Sequence, residues 1–310
     1  MVYGIQYAAM KQHTSRPNLT VALATCADHP GLCAGDDEAL AEQLAAEGIR
    51  AETARWDDHN IDWAQYDAVL IRTTWDYTER VEEFLAWMRR VEAATPVFNP
   101  SATAEANLHK SYLKLLGAAA VPTLWAEPGA DAGEVLAAAA ARGWDSVAVK
   151  PAVGAGAEDL LIAPLTEIEA LRRHIAGIHQ RCAAMVQPLI EGVRERGELS
   201  VVLIDGEATH AVRKTPTAGD YRVQIEFGGA YEPEDPAPAA LEIVRAAGAL
   251  WDDPPLYARV DLVEPEPGEY LIIEVELVEP ELFFPWAAHA GAKLGTALRR
   301  RLAARSTMGA

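Results

Sequence analysis

Two apolar segments near the C-terminal end carry charged side chains at every second position. The first reads RVDL and contains Arg259 and Asp261, and the second reads LIIEVELV and contains Glu274 and Glu276. Side chains alternate between the two faces of a β-strand, so the charged residues of each segment share one face. The second segment is too apolar for an edge ribbon in water. The pattern therefore predicts two covered, neighbouring strands on which three carboxylates and one arginine converge.

Carboxylates in such a place need compensating charge, because burying an unpaired carboxylate costs several kcal/mol. Arg259 can offset one of the three charges. Mg²⁺ fits the remainder, since it takes hard oxygen ligands and keeps substrate phosphates in its shell. A solvated acidic face is the competing interpretation, because the chain has 46 acidic and 27 basic residues. The acids around these strands are interpreted as ordinary surface residues: Glu264, Glu266, Glu269, Glu279 and Glu281.

Composition narrows the classes of partner. A net charge of −19 repels phosphate backbones and anionic lipids, so neither nucleic acid nor a membrane is an expected partner. No segment approaches the roughly 20 apolar residues of a membrane span, and residues 1–18 lack an apolar signal-type run. The expectation is a cytoplasmic protein with a loose leader over residues 1–18. Cys26, Cys33 and Cys182 are expected to be small apolar residues that fill space in the core. Assembly into a homo-oligomer is left open by the sequence.

The chain has 310 residues, which is more than a single compact hydrophobic core usually contains, so several subdomains are predicted. Apolar runs such as TVALAT and AVLIR alternate with helical patterns and predict an open α/β domain over residues 19–100. Residues 101–185 are predicted to form a central subdomain with a glycine-containing loop, beginning with one helix over residues 101–116. Residues 186–310 are predicted to form a C-terminal subdomain that contains the acidic strands.

Few cations are available for binding phosphate, so their positions are informative. Lys150 ends the apolar strand VAVK, and Gly154 and Gly156 follow it. Glycines let backbone N–H groups approach phosphate oxygens closely, although a plain tight turn explains these two equally well. Neither a Walker loop nor a complete GxGxxG fingerprint is present. Lys110 lies near Lys114 on the next predicted helix upstream, and an inward and a surface position are equally favoured for it.

A second group of cations follows the hairpin turn Asp205-Gly206. Arg213 and Lys214 end the second strand of that hairpin, and Arg222 lies in the following loop. Such a cluster could hold a substrate carboxylate or a phosphate during its transfer.

Three loops of the first domain follow predicted strands, which is the ligand side of an open α/β sheet. Their candidate substrate-binding residues are Asp28, Arg72, Thr73, Asp76 and Asn99. Arg72, Thr73 and Asp76 could together hold the carboxylate and amine of a small amino acid. A capped turn that starts the next helix is an equally favoured interpretation of the same residues.

The order of these features resembles the ATP-grasp fold, in its glutathione synthetase-like group. An α/β domain is followed by Lys110, by Lys150 with its glycine loop, and by the segments MVQPLI, GELSVVLIDG, RVDL and IIEVE. The resemblance extends over roughly residues 20–298 and implies two α+β subdomains that clamp ATP between them.

By position, this resemblance implies a nucleotide site. Its implied members are Lys110, Lys150, Gly154, Gly156, Gln187, Pro188, Ile190 and Glu198. The lysines would contact the α- and β-phosphates, the glycine loop would close over the phosphates, and residues 187–190 would face adenine. Glu198 would bind the ribose hydroxyls, with Glu191 and Glu195 as alternatives.

The resemblance also implies the chemistry. Asp261, Glu274 and Glu276 would bind one or two Mg²⁺ ions, although the third ligand is often Asn in this family. The implied catalytic residue is Arg259, at the transferring phosphoryl group, with Lys214 and Arg222 as further candidates. A substrate carboxylate would become an acyl phosphate that a nucleophile, usually an amine, then attacks. The protein would mainly position the reactants and neutralise charge.

The segments RTTWDY, NLHKSYL and EVELVEPELFF resemble one branch of the family, the cycloserine-forming enzymes. Members of that branch convert O-ureido-D-serine to D-cycloserine, with ring closure by the substrate's own nitrogen and loss of the carbamoyl group as CO₂ and ammonia. The resemblance implies that reaction here. Two alternatives stay open: an intermolecular ligase that forms a peptide or amide bond on a small amino acid, and a non-catalytic nucleotide-binding protein.

Overall fold

The chain is described here from a computed structural model, which covers residues 19–31, 35–154, 156–248, 250–251 and 253–308. The expected leader and Cys33 lie outside the described residues. The strands are β1 (Leu19–Thr25), β2 (Ile49–Arg55), β3 (Ala68–Thr73), β4 (Val97–Phe98), β5 (Leu124–Ala126), β6 (Ser146–Pro151), β7 (Leu161–Pro164), β8 (Ala184–Pro188), β9 (Glu198–Ile204), β10 (Glu207–Thr215), β11 (Ala230–Pro233), β12 (Tyr257–Val263) and β13 (Leu271–Glu276). The α-helices are α1 (Asp36–Ala46), α2 (Val81–Glu92), α3 (Ser101–Leu108), α4 (Ala132–Ala141), α5 (Ile168–Ile178), α6 (Gly192–Arg196), α7 (Pro238–Gly248) and α8 (Ala290–Met308). Short 3-10 helices cover Trp63–Gln65, Trp75–Glu79, Lys110–Ala119, Ile225–Phe227 and Phe284–Trp286.

The first sheet is parallel, with strand order β2-β1-β3-β4. β3 is buried along its whole length, as expected for a parallel strand that is covered on both faces. On one face, Val21 and Leu23 pack with Leu40 of α1 and Leu294 of α8. On the other face, α2 contributes aromatic residues such as Trp87. The predicted open α/β domain is therefore present, and α8 returns from the end of the chain to cover it.

The second sheet is antiparallel, with strand order β5-β8-β6-β7. Alternation along β6 directs Val147 and Val149 into a core with α4 and α5. Ala148 and Lys150 therefore face the opposite way, toward the third sheet.

The third sheet is antiparallel, with strand order β11-β10-β9-β12-β13. The apolar residues of β9 and β12, including Val201 and Val260, pack against α7 on one face. In the register of β12 and β13, Arg259 lies opposite Glu276, and Asp261 lies opposite Glu274. The predicted pair of charged neighbouring strands is therefore present, although β13 lies at the edge of the sheet.

The prediction of one helix over residues 101–116 is wrong. α3 ends at Leu108, and a 3-10 helix begins at Lys110 after His109, whose backbone is extended. The backbone N–H of Lys110 donates a 2.8 Å hydrogen bond to the carbonyl oxygen of Ala152 instead of continuing the helix. This break turns the Lys110 side chain toward the space between the second and third sheets. Among the described residues, no helix is long and apolar enough to cross a membrane.

Candidate active site

A cleft of about 1040 Å³ lies between the second and third sheets. The wall from the second sheet includes Ala148 and Lys150, which strand alternation directs away from the α4–α5 core. The wall from the third sheet includes Arg259, Asp261 and Glu274, on the face opposite α7. The two antiparallel sheets thus bring predicted cations and predicted acids together in one space.

Arg259 and Asp261 form the centre of the acidic wall. Arg259 Nε lies 2.9 Å from Asp261 Oδ1, and Arg259 Nη2 lies 2.9 Å from Oδ2. Ser200 Oγ donates a 2.5 Å hydrogen bond to Asp261 Oδ1, and Lys214 Nζ lies 3.7 Å from the same oxygen. Although burial alone would raise it, Arg259 and Lys214 hold the pKa of Asp261 below its ordinary value. Asp261 is therefore an ionised, firmly oriented carboxylate.

The two glutamates of β13 are bound by different cations. Glu276 forms an ion pair with Arg259 across the strand pair, and Glu274 Oε1 lies 3.1 Å from Lys110 Nζ. Burial raises the pKa of Glu276 to about 8 against the influence of Arg259, and the charges of Asp261 and Glu274 add to the rise. The charged form of Glu276 is therefore disfavoured in this wall, and a further cation would stabilise it.

The predicted metal ligands are not arranged as a ready-made site. Within the described part of the chain, no three His, Cys, Asp or Glu side chains are gathered closely enough to hold a metal ion. The physical reason is that Asp261 and Glu276 turn toward Arg259, while Glu274 turns toward Lys110. The donor set itself fits Mg²⁺, because carboxylate oxygens are its hard ligands and the charge around Glu276 is only partly compensated.

Lys150 differs from the other cations of the cleft. Its ammonium group makes no ion pair or hydrogen bond with any described residue, and it faces the cleft. Burial lowers its pKa below the ordinary lysine value, although the charge of Glu274 acts in the opposite direction. By contrast, Lys214 forms an ion pair with Glu198. Lys150 is therefore a desolvated cation that is free to meet an anionic ligand.

The glycine loop is connected to the acidic wall through Lys110. The Nζ atom of Lys110 donates a 2.5 Å hydrogen bond to the carbonyl oxygen of Gly154. Gly154 and Gly156 both line the cleft, and Gly156 has a φ of 63°, a conformation that glycine adopts without strain. Ala155, between them, lies outside the described residues. The contact of this loop with phosphates stays a prediction.

The predicted adenine wall lines the same cleft through Gln187, Pro188 and Ile190. Gln187 is buried, and its Nε2 donates a 2.9 Å hydrogen bond to Thr123 Oγ1, so its side chain is fixed by the protein itself. Any contact with adenine would therefore come mainly from the backbone of this segment, as expected from the sequence.

Glu198 is the one of the three predicted ribose-binding acids that lines the cleft. Its carboxylate is paired with Lys214, and burial raises its pKa. Glu191 is exposed and accepts a 3.2 Å hydrogen bond from Tyr221 Oη, and Glu195 pairs with Arg196. The ribose contact stays a prediction.

Arg222 lies at the cleft mouth and is exposed. Its Nη2 lies 2.8 Å from Asp220 Oδ2, and its guanidinium lies 3.9 Å from the centre of the Phe227 ring. Both contacts are within its own loop, and Arg222 can leave them easily, because exposed ion pairs are weakened by solvent screening.

A second cavity, of about 1530 Å³, adjoins the first and shares Lys214, Arg259 and Glu276 with it. Its other wall includes Arg72 and Thr73, at the carboxyl end of β3. The predicted ligand side of the first sheet thus opens toward the catalytic candidates of the third sheet.

Arg72 is held mainly by the protein's own carboxylates. Its side chain is 3% exposed, with Nη2 2.9 Å from Asp36 Oδ2 and Nε 2.6 Å from Asp37 Oδ1. Asp36 also accepts hydrogen bonds of 2.8 and 2.7 Å from the backbone N–H groups of Leu282 and Phe284. Arg72 therefore joins α1 and the segment after β13, and its Nη1 has no hydrogen-bond partner among the described residues.

The structure does not bring the other predicted substrate residues to either cavity. Asp28 is exposed, and Asp76 accepts a 2.8 Å hydrogen bond from Trp56 Nε1. Asn99 is buried, and its Nδ2 donates hydrogen bonds of 2.9 and 2.8 Å to the carbonyl oxygens of Tyr257 and Leu277. Asn99 thus joins the first domain to the third sheet.

Two acids of the second cavity were missed from the sequence. Glu279 and Glu281 both line this cavity, so their interpretation as surface residues is wrong. Burial raises the pKa of each to about 7. Glu279 is also hydrogen-bonded to Tyr77. The apolar residues around the pair, such as Phe283, were the available signal for burial.

Comparison with known proteins agrees with this geometry. Residues 21–99 match the family described as D-cycloserine synthetase DcsG, N-terminal domain, and residues 131–280 match the ATP-grasp domain of prokaryotic glutathione synthetase. The chain is 31% identical to the cycloserine biosynthesis protein DcsG of Streptomyces lavendulae over 279 residues, which cover 85% of this chain and 92% of that protein. The chain belongs to the ATP-grasp ligase family that includes DcsG. It is an enzyme of the ligase class.

Solved structures show the same relationship for this ATP-grasp ligase. The crystal structure of D-cycloserine synthetase DcsG matches with a TM-score of 0.82 at 29% identity, covering 91% of this chain and 99% of that one. The ATP-grasp ligase PsnB, complexed with a variant of its minimal precursor, Mg and ADP, matches with a TM-score of 0.60 at 20% identity, covering 92% and 99% of the two chains. The fold class predicted from the sequence is confirmed, with an open α/β domain and two α+β subdomains around a cleft.

Proposed function

We propose that this ligase uses ATP and Mg²⁺ to activate a carboxylate as an acyl phosphate and cyclises O-ureido-D-serine to D-cycloserine. The observation that carries the ATP site is Lys150, a desolvated ammonium that faces the cleft without a partner among the described residues. A phosphate group supplies the charge-assisted hydrogen bonds that such a cation lacks. The relationship to DcsG supports the choice of substrate.

Binding of ATP would use the two sheets together. Lys150 would contact the α- and β-phosphates from the second sheet. Lys110 would do so after exchanging its hydrogen bond to Gly154 for a phosphate oxygen, which is a small rearrangement of one side chain. The adenine would lie beyond them, against residues 187–190, where Pro188, Leu189 and Ile190 make the cleft wall mainly apolar.

The acidic wall would neutralise and orient the reacting groups. Asp261, Glu274 and Glu276 would hold Mg²⁺, which when bound screens the phosphate charge and acts as a Lewis acid. Arg259 and Lys214 line both cavities, so they would lie between the nucleotide and the substrate. Cations that are fixed before the reaction stabilise developing negative charge without reorganisation, and their effect is largest where water is excluded.

The second cavity would hold the amino-acid part of the substrate. Glu279 and Glu281 form no ion pair with any described residue, and burial raises the pKa of both carboxyl groups. The ammonium group of an amino acid would compensate their charge. The substrate carboxylate would then point toward Arg259 and Lys214, at the junction of the two cavities.

In the proposed reaction, an oxygen of the substrate carboxylate attacks the γ-phosphorus of ATP, and ADP leaves. The ureido nitrogen that is bonded to oxygen next attacks the acyl carbon, so a C–N bond forms, the ring closes and phosphate leaves. Hydrolysis of the carbamoyl group releases CO₂ and ammonia. No side chain acts as a nucleophile, so the protein's own contribution is positioning and charge stabilisation.

The decisive experiment incubates the purified protein with Mg²⁺, ATP and O-ureido-D-serine, and measures ADP by a coupled assay and the product by mass spectrometry. We expect ADP and the mass of cycloserine without any added amine. The L-enantiomer and the variant Asp261→Asn serve as controls, and both should release at least 100-fold less ADP. ADP release that requires a second amine would overturn the cyclisation.

An intermolecular ligase remains the second candidate, because the second cavity extends from Arg72 of the first sheet to Lys214 and Arg259 of the third sheet, and its lining contains both acids and cations. The match of residues 131–280 to a glutathione synthetase domain is in line with it. A product with the summed mass of two amino acids less water would establish this reaction.

A further inference from the structure

The outer edge of β13 is covered by side chains instead of another strand. β13 is the last strand of the third sheet, so one side of its backbone has no strand partner. The segment that follows α3 crosses this side, and Val121 N–H donates a 2.9 Å hydrogen bond to the carbonyl oxygen of Ile272. An edge strand with unsatisfied backbone groups is free to shift or to pair elsewhere.

Asn107 and Tyr112 satisfy the backbone beside the acidic residues. The Tyr112 hydroxyl donates to Val275 O and accepts from Val275 N–H, both at 2.9 Å. Asn107 Nδ2 donates a 2.8 Å hydrogen bond to Val275 O, and its Oδ1 accepts a 2.9 Å hydrogen bond from Leu277 N–H. All four contacts are buried. They fix the backbone on both sides of Glu276.

On its inner side, β13 is held less firmly by its pairing with β12 than it is by the hydrogen bonds on its outer side. The pairing of β12 with β13 shifts register between Asp261 and Leu262, and such an irregularity loosens the ladder locally. Asp261 also lies opposite Glu274, and like charges in directly opposed positions are destabilising. Asp261 and Glu274 repel each other, yet a metal ion would need both carboxylates close together. The hydrogen bonds from Asn107 and Tyr112 on the outer side of β13 offset this repulsion by holding the strand in place.

The same segment carries Lys110, between Asn107 and Tyr112. Lys110 contacts Glu274 and the glycine loop, while its two neighbours hold the strand on which Glu274 lies. The spacing between the phosphate-binding lysine and the acidic strand is therefore set by one short stretch of chain.

We propose that Asn107 and Tyr112 are positioning residues, which hold β13 so that Glu274 and Glu276 bind Mg²⁺ together with the nucleotide. This inference rests on the proposed function. Neither side chain lines the nucleotide cleft, so both act through the strand. Outer-sphere partners of metal ligands typically change metal affinity by about 10- to 100-fold when removed.

The test compares Tyr112→Phe with Thr95→Val. Each removes one buried hydroxyl that binds backbone groups, but Thr95 Oγ1 donates its 2.7 Å hydrogen bond to Trp63 O in the first domain. Urea unfolding measures the stability of both variants, and titration calorimetry with ADP at several Mg²⁺ concentrations measures nucleotide binding. We expect similar losses of stability. Only for Tyr112→Phe should the Mg²⁺ concentration that gives half of the maximal increase in ADP affinity rise about 10-fold above that of the parent protein.

Asn107→Ala is the second variant, in case Tyr112→Phe does not fold, and should show the same shift. ADP binding in the presence of EDTA should be equal in all folded variants. A folded Tyr112→Phe or Asn107→Ala with the Mg²⁺ dependence of the parent protein would overturn the positioning role, as would an equal shift in Thr95→Val. Absence of Mg²⁺-dependent ADP binding in the parent protein would instead overturn the proposed function.

Discussion

Lys110 Nζ lies 3.1 Å from Glu274 Oε1 and also donates a hydrogen bond to the carbonyl oxygen of Gly154. One buried ammonium thus connects the acidic strand of the third sheet with the glycine loop of the second. The two walls of the cleft are held at a defined separation by this contact. Phosphate oxygens would compete for the same ammonium, so nucleotide binding would be coupled to the position of the loop.

Replacing Lys110 with Met should release the glycine loop. Without nucleotide, we expect faster cleavage after Glu158 by a glutamate-specific protease, because the Gly154 carbonyl loses its partner. The affinity for ATP should fall about 10- to 150-fold, since hydrogen bonds to charged groups contribute about 1.5–3 kcal/mol. Proteolysis rates and calorimetry measure both effects.

Lys114→Met is the matched control, because Lys114 is half-exposed and its Nζ lies 3.9 Å from Glu127 Oε1. It should leave both the cleavage rate and the ATP affinity unchanged. Equal cleavage of the two variants would show that Lys110 does not hold the loop.

Replacing Lys150 with Met should stabilise the ligand-free protein and weaken ATP binding. Lys150 has a pKa below the ordinary lysine value of 10.5 because its charge is desolvated. Its contribution to stability is therefore present above 10.5 and lost as the pH falls through the lowered pKa. Below that pKa the variant avoids burying an ammonium, so its melting temperature should exceed that of the parent protein. ATP affinity should fall about 10- to 150-fold.

The control for this experiment is Lys293→Met, at a partly exposed lysine whose Nζ lies 2.7 Å from Glu207 Oε2. It should change stability by about 0.5 kcal/mol or less. A Lys150→Met variant that melts at a lower temperature than the parent and binds ATP normally would contradict the phosphate-binding role.

Replacing Glu281 with Gln should alter the pH dependence of stability. The pKa of Glu281 is raised from 4.5 to about 7, chiefly by burial. Its contribution to stability is fully present below pH 4.5 and is lost as the pH rises through about 7. The variant lacks this loss, so urea unfolding should show it gaining stability relative to the parent protein between pH 5 and pH 8. The KM for an amino-acid substrate should rise about 10-fold.

Glu269→Gln, at an exposed position, should leave both the pH profile and the KM unchanged. If Glu281→Gln alters stability but leaves the KM for the substrate unchanged, the ammonium-binding role of Glu281 is wrong.

Replacing Arg72 with Met should strongly destabilise the fold. The change leaves Asp36 and Asp37 buried without their cation, and breaking a buried ion pair in this way costs about 3–5 kcal/mol. Arg89→Met removes an exposed ion pair with Glu105 and should cost about 1 kcal/mol or less. Urea unfolding measures both. A stable Arg72→Met protein with a raised KM would show instead that Arg72 mainly binds substrate.

Local patterns in the sequence were sufficient for much of the cleft. The period-2 alternation of a strand is a property of neighbouring residues, so RVDL and IIEVE correctly predicted that Asp261 and Glu274 face the same space. The helix over residues 101–116 failed for the opposite reason. Its pattern continues past Leu108, but a long-range hydrogen bond from Lys110 to Ala152 breaks it, and local propensity is easily overridden by tertiary contacts.

Pairings between distant residues required the tertiary structure. The alternation of residues along each segment was enough to predict which side chains share a strand face and that too few cations lie on those strands to balance their acids. The fold, by contrast, sets the partners of Arg72, which meets Asp36 and Asp37 instead of facing solvent, and it places the half-buried Glu279 and Glu281 in the second cavity. The physical reason is that alternation acts over two residues, whereas charge compensation and burial depend on which segments the fold brings together.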